Sequence, residues 1–477
     1  MLLSKTSAVW IVFLSLVFFV HHFCFFYGHF GYDDIHYARL SHNLLNGNWD
    51  MSDHYSHRLS VISLTALSYS IFGITDFASG FFPLCMSLAI CLMILHALNR
   101  YGLLIQLIGL SLYFIYQWNL FYSDKLMADI FVSFFMTLAY YLRLQAITGR
   151  LNDKSSGILF ILALFCAFFA KGTFVLLLPL FLFVLFSDIT NQRLQSFWKS
   201  AIVTTAILSA IYLSWNYFMF DNPLIRLEMI ERGSYINECS YSYYGLDRII
   251  KRLTTDFTSF LIKERFYIYL VVIAIIVFFH KITQHTRELN RIDLLTVIIV
   301  FLSMNFMTIS MSDYNPFCLD PRHFMMAIPI LSISIGRLAS TAMKPLKIGL
   351  LSLVILFLYN TVQYSKDSRK LSYPQVRESI QMTLDQIDDL DRTRVFASQV
   401  MINLLEYYSH FELGDRIELV NIEQIGSIEC GEMVIRNWYG EFHSNLSAET
   451  YDQIIKGYSD VTAEPTNRLR IYMQHCQ

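Results

Sequence analysis

Two adjacent carboxylates, Asp33 and Asp34, follow the first long apolar run of the chain and open the stretch Asp-Asp-Ile-His-Tyr-Ala-Arg-Leu. A carboxylate at the mouth of a membrane helix can take a proton from a hydroxyl as that hydroxyl attacks a substrate. The pair also suits a structural role. Tyr37, Leu40 and Leu44 share one helical face, so either Asp can cap or charge-stabilise the start of an amphipathic helix. Asp129 stands at the start of another apolar run, where it can orient a substrate or favour the helix N-terminus. His57 and Arg58 open the apolar segment Leu59 to Phe72, which is short for a span and reads as interfacial. Lys171 precedes Gly172 in a brief connection, and Arg322 and His323 follow Asp320-Pro321. These cations have two readings, contact with a lipid phosphate or snorkelling to the headgroup region. Asp124 reads as a solvated loop residue.

The elements that must hold these residues are membrane helices. Of 477 residues, 55% are hydrophobic and only 16% charged, far more apolar than a soluble chain. We read about eleven apolar spans, several shorter than the roughly 20 residues a bilayer requires: Ser7 to Tyr27, Asp76 to Ala97, Leu103 to Phe121, Met127 to Ile147, Gly157 to Ala170, Thr173 to Phe186, Ala201 to Phe220, Phe266 to His280, Leu294 to Ile309, Phe324 to Ala339 and Ile348 to Tyr364. With a cytoplasmic N-terminus, alternate connections carry Arg100; Arg143, Arg150 and Lys154; Arg193 and Lys199; Lys281, Arg287 and Arg291; Arg337, Lys344 and Lys347. That asymmetry satisfies the positive-inside rule. The first span, with Lys5 ahead of it and no small-residue cleavage site behind, reads as a retained signal anchor.

This topology puts residues 28–75, 221–265 and everything after Tyr364 outside. The 221–265 loop carries Arg226, Glu228, Glu231 and Arg232 with Tyr235, Tyr241, Tyr243 and Tyr244, and its tyrosines read as an interfacial belt. From Ser365 charged residues become frequent. Strand-like runs at Arg394 to Ala397, Ile417 to Val420, Met433 to Ile435 and Leu469 to Met473 alternate with helical stretches at Gln399 to Tyr408 and Ala448 to Lys456. The expected organisation is a membrane domain over 1–364 and a small α/β extracytoplasmic domain over 365–477.

The formal net charge of −2 carries no basic excess, which sets nucleic-acid partners aside. Cys24, Cys85, Cys91 and Cys166 lie in apolar spans and read as packing residues, while Cys239 with Cys318 and Cys430 with Cys476 are candidate disulfides. No cysteine spacing fits a zinc site, so no structural metal is expected, and the sequence leaves metal dependence of any activity open.

In order along the chain, Asp33-Asp34-Ile35-His36-Tyr37-Ala38 with Gly47-Asn48-Trp49, then His57-Arg58 before Phe72-Gly73, Asp129, Lys171-Gly172, and Asp320-Pro321-Arg322-His323 with Pro329 resemble the motifs of bacterial lipid A aminoarabinose transferases. The acidic pair also resembles the Asp-Glu motif of protein O-mannosyltransferases, and both families are GT-C integral-membrane glycosyltransferases. Asp34 replaces the family's Glu, Ser56-His57-Arg58 stands where aminoarabinose transferases carry Glu-Lys-Pro, and an Arg after the Phe-Gly is absent near Gly80. The resemblance covers roughly the first 340 residues. It implies an all-α polytopic GT-C fold with juxtamembrane helices, in the bacterial inner membrane with the C-terminal domain in the periplasm. It further implies transfer of a sugar from a lipid-linked polyprenyl-phosphate donor to an envelope lipid, glycan or protein, with inversion. In that reading Asp33, Asp34 and Asp129 are the catalytic carboxylates, with Asp33 the base, and His57, Arg58, Lys171, Arg322 and His323 bind phosphate or substrate. The alternatives are a secondary transporter, which would place charges at helix midplanes and show a repeat, and an O-antigen ligase or polymerase, which gives the acidic pair no natural role.

Overall fold

The computed structural model describes all residues except 1–4, 27, 50, 52, 233–238, 284–290, 309, 311–312, 369–373, 389–392, 414–416, 425–431, 438, 440, 442–445, 447, 457–458, 461–468 and 474–477. It comprises two compact units. The first is Met1–His22, Asp50–Leu64 and Gly80–Asp367; the second is Phe23–Trp49, Thr65–Ser79 and Ser368–Gln477.

The first unit is a helical bundle. Among the described residues of the whole chain, five helical stretches are long and apolar enough to cross a membrane: Asp76–Tyr101, Ala128–Ile147, Asp153–Ala170, Gly172–Thr190 and Gln195–Phe220. Val9–Phe25, Leu59–Phe72, Leu103–Ile115, Tyr267–Phe279 and Ala327–Ala339 are shorter apolar helices. The run read as one span from Leu103 to Phe121 breaks at Tyr116, whose extended ψ of 95° separates Leu103–Ile115 from the five-residue helix Gln117–Phe121. Helix Gln195–Phe220 turns Ile202, Val203, Ile207, Ile211 and Phe218 outward, the apolar exposure that a lipid-facing helix requires.

Helix Ala128–Ile147 packs against Asp153–Ala170, and a buried ion pair ties it to the stretch Gly172–Thr190. Arg143 donates from Nε and Nη2 to both oxygens of Asp188, at 2.8 and 2.7 Å, and Trp198 Nε1 donates to Asp188 at 3.1 Å. Both charged side chains are 1% exposed. Removing one partner of such a pair leaves a bare buried charge, so Asp188→Ala is expected to cost about 3–5 kcal/mol. Thermal unfolding of the purified protein in nanodiscs measures that loss.

The second unit contains a five-stranded sheet in the order β2-β1-β3-β5-β4, where β1 is Thr393–Ala397, β2 Ile417–Asn421, β3 Met433–Asn437, β4 Ser459–Asp460 and β5 Leu469–Met473. β1 runs parallel to β2 and β3, while β5 is antiparallel to β3 and β4. Phe396, Ile422, Val434 and Tyr451 form a buried cluster, as apolar side chains projecting from sheet and helix must. The strands and the helix Gln399–Tyr408 lie where alternation and helical periodicity predict them; the two-residue β4 is too short to leave such a signal.

Candidate functional site

The helix that carries the acidic pair, Asp33–Leu45, belongs to the second unit. Its N-cap position is Tyr32, which makes no side-chain cap bond, so neither Asp is a conventional cap. Asp34 instead gathers the preceding loop. Its Oδ2 accepts from Phe30 N at 2.5 Å and lies 3.1 Å from His29 Nδ1, and its Oδ1 accepts from Tyr32 N at 3.0 Å. It is 1% exposed, whereas Asp33 is only partly buried. Burial pushes the Asp34 carboxyl up, but His29 and the two backbone donors outweigh it and hold it below the usual carboxylate range. His29 Nε2 lies 3.7 Å from Asp76, which Arg377 also approaches at 3.2 Å. The helix is fastened further by Arg39, which donates to Asn403 at 3.1 Å and pairs with Glu406, and by Asn403, which donates to Gly31 O at 2.8 Å. Gly31 has φ +84°, and a Cβ there would stand 2.8 Å from Val400 Cγ1, so only glycine fits.

The remaining predicted residues fall in the first unit, in two groups at the end of helix Asp153–Ala170. In the first, Lys171 Nζ donates to both oxygens of Asp129, at 2.9 and 3.0 Å. Asp129 is 2% exposed, and a carboxylate clamped this way is a poor base because its charge is already satisfied. Arg322 donates from Nε to Asp320 at 2.9 Å and sends Nη1 to within 3.9 Å of Met127 Sδ. Asp320 also accepts from Arg322 N at 2.9 Å, which fixes the short turn Pro321–Phe324. The Asp320 carboxyl lies below its usual range, because Arg322 and His323 outweigh the opposing effect of burial.

Burial and the neighbouring Lys171 push the His323 imidazole down to about 4. The unfolded chain therefore takes up a proton near the ordinary histidine value of about 6.5 while the folded one does not. Stability is expected to fall as pH drops from about 6.5 to 4 and to stop responding below it. His323→Gln should flatten that part of a thermal-midpoint profile.

The second group is His57, Arg58 and Arg226. Arg58 stacks over the Tyr55 ring at 4.3 Å, and Ser60 Oγ donates to Cys166 O at 2.8 Å, fixing this segment against the end of helix Asp153–Ala170. His57 is 2% exposed with Nε2 unpartnered, and its imidazole is held below its usual value by burial and then by Arg226. In sequence Arg226 is one loop charge among several, and it lies on helix Ile225–Arg232. It is 2% exposed, lies over the Phe168 ring at 4.0 Å and donates from Nη2 to Phe168 O. Its Nη1 is buried without a hydrogen-bond partner, and no carboxylate among the described residues pairs with it. Desolvation brings this guanidinium down to about 10.

Asp124, which the sequence reads as a solvated loop residue, is fully buried. It pairs with Lys125 at 2.9 Å and with His22 at 3.2 Å, and Gly80 supplies the room, since a Cβ there would meet Asp124 O at 2.8 Å. Those partners outweigh burial and hold its carboxyl at about 2. Cys239 and Cys318 form a disulfide close to the Asp320–Arg322 turn, and Arg252 Nε donates to Phe317 O at 2.9 Å. Cys430, Cys476 and Tyr235 lie outside the described residues.

No family model matches the sequence, and no curated protein matches it. The structure is similar to the crystal structure of ArnT from Cupriavidus metallidurans bound to undecaprenyl phosphate, at 13% identity and a TM-score of 0.59, covering 98% of each chain. An identity that low speaks for architecture rather than chemistry. The chain therefore has a GT-C-like fold, an apolar helical bundle with a small C-terminal α/β domain.

Proposed function

We propose that this protein is a glycosyltransferase of the bacterial inner membrane that moves a sugar from a polyprenyl-phosphate donor to an envelope lipid, glycan or protein at the outer face. The observation that carries the reading is Arg226. A buried guanidinium with an empty Nη1 and no carboxylate partner among the described residues is costly unless an anion completes it, and it stands with Arg58 and His57 where a lipid phosphate would supply that anion. The fold likeness to ArnT, whose crystal structure holds undecaprenyl phosphate, supports the same ligand class.

In the proposed reaction the acceptor hydroxyl attacks the anomeric carbon, the bond from that carbon to the phosphate oxygen breaks, and the configuration inverts. The proton goes to Asp33, the base by its motif, while Arg58, Arg226, Lys171 and Arg322 stabilise charge on the departing polyprenyl phosphate. Asp129 then acts through Lys171, holding its ammonium in place, and Asp34 acts through the loop that it orders. Residues 1–364 form the catalytic membrane domain in this reading, with 28–75 and 221–265 as its outer loops, and 365–477 form the periplasmic domain. Mass spectrometry of envelope glycolipids and glycoproteins in a deletion strain, with and without the wild-type chain, tests the proposal. A sugar-bearing species should vanish and return; an unchanged glycan profile in every envelope fraction would show the reading to be wrong.

A further inference from the structure

The carboxylates of the first unit near Arg322 differ in how their charge is met. Asp129 is clamped by Lys171, Asp320 by Arg322, and Asp124 by Lys125 and His22. Glu264 is 6% exposed, yet no cation among the described residues lies within ion-pair distance of it. Its Oε2 accepts a hydrogen bond from Trp118 Nε1 at 2.5 Å. Burial holds this carboxyl above the usual range, with Trp118 pulling the other way.

The surroundings are aromatic and polar together. Trp118 stacks on Tyr122, with centroids 5.7 Å apart and planes at 25°, and both residues are of intermediate burial. Tyr116 donates to Pro321 O at 2.6 Å, which joins this corner directly to the turn that carries Arg322. Gln117 Oε1, between them in sequence, is buried without a hydrogen-bond partner. Rings beside a carboxyl that has acceptor capacity to spare present one apolar face and directional polar atoms, the combination that a sugar ring requires of a binding site.

We propose that Glu264, Trp118 and Tyr122 form the subsite for a sugar, the ring lying on the Trp118–Tyr122 pair and a hydroxyl or amino group donating to Glu264, beside the Asp320–Arg322 turn. The proposal rests on the glycosyltransferase reading and specifies where that enzyme holds carbohydrate as distinct from phosphate.

The test uses the full chain in nanodiscs and compares affinities for undecaprenyl phosphate and for its phosphodiesters with glucose, mannose, N-acetylglucosamine and 4-amino-4-deoxyarabinose. At least one sugar-bearing lipid should bind about tenfold or more tighter than the bare lipid phosphate, the worth of one or two buried hydrogen bonds. Glu264→Leu combined with Trp118→Phe leaves no N–H or carboxylate unpaired, so it should fold. It should abolish the sugar increment while leaving the affinity for undecaprenyl phosphate within about twofold. An increment that survives in the double variant, equal weakening of all five lipids, or the absence of any increment across the panel in the wild type would overturn the proposal. Failure of the wild type to bind undecaprenyl phosphate at all would instead strike the glycosyltransferase reading on which the proposal stands.

Discussion

Replacing Arg226 with methionine is expected to weaken binding of undecaprenyl phosphate by about 30-fold or more without lowering the thermal midpoint of the unliganded protein. Truncating a buried charge that is hydrogen-bonded to its partner costs about 2–5 kcal/mol of binding, which sets the scale. The stability half of the prediction has the opposite sign from an ordinary core substitution. Arg226 is buried with Nη1 unpartnered, so among the described residues no ion pair offsets its desolvation in the unliganded chain. Methionine keeps a flexible apolar stem over Phe168 and Phe169 and removes the charge. Arg226→Lys keeps the charge but loses the planar fork, and an intermediate loss is expected. Titration of lipid into protein-loaded nanodiscs, with a thermal melt of each variant, reads both halves. A variant that melts earlier and binds normally would make Arg226 a packing residue.

The legible and illegible parts of this chain divide by the range of the interactions that set them. β1, β2, β3 and β5 stand close to their expected positions because strand alternation is written in neighbouring residues, and the helix Gln399–Tyr408 for the same reason. Helix Leu59–Phe72 is the short apolar element that its length predicts. The pairings at the candidate site were not legible. Lys171 meets Asp129 across 42 positions, and Asp124 is buried by a histidine 102 positions away. No local pattern reports either contact. Arg226 had a weak signal: it stands between Ile225 and Leu227 in a loop otherwise rich in charge, where an arginine on an apolar turn is easily taken for an interfacial anchor. Likewise, residues 23–49 and 65–79 group with the C-terminal residues in one compact unit because of contacts such as Tyr439 to Phe30 O at 2.7 Å and Ser79 to Tyr407 at 2.8 Å, whose partners lie hundreds of positions apart.

Asn substituted at Asp33 and Ala at Asp34 are expected to fail in different ways, and the difference separates chemistry from architecture in the acidic pair. Asp33→Asn removes the proposed base while keeping shape, so turnover of the sugar-bearing lipid should fall by about 10²–10⁴-fold with the thermal midpoint unchanged. Asp34→Ala removes the carboxylate that accepts from Phe30 N and Tyr32 N and that lies against the His29 ring. A buried donor that loses its partner costs about 1–3 kcal/mol, and with these donors partly buried the loss of stability should come to about 1–3 kcal/mol in all. The pH dependence follows from the depressed carboxyl of Asp34. Its contribution is fully present above the ordinary aspartate range and is lost as pH falls through its lowered folded-state value, so the wild type should lose stability on acidification in a window that Asp34→Ala lacks. Turnover in Asp34→Ala falls only as far as the loop loosens, and low temperature should restore part of it. An Asp33→Asn variant with normal turnover would move the base to another residue. An Asp34→Ala variant with normal stability would mean that its hydrogen bonds do not organise the loop, leaving Asp34 open to a direct part in the chemistry.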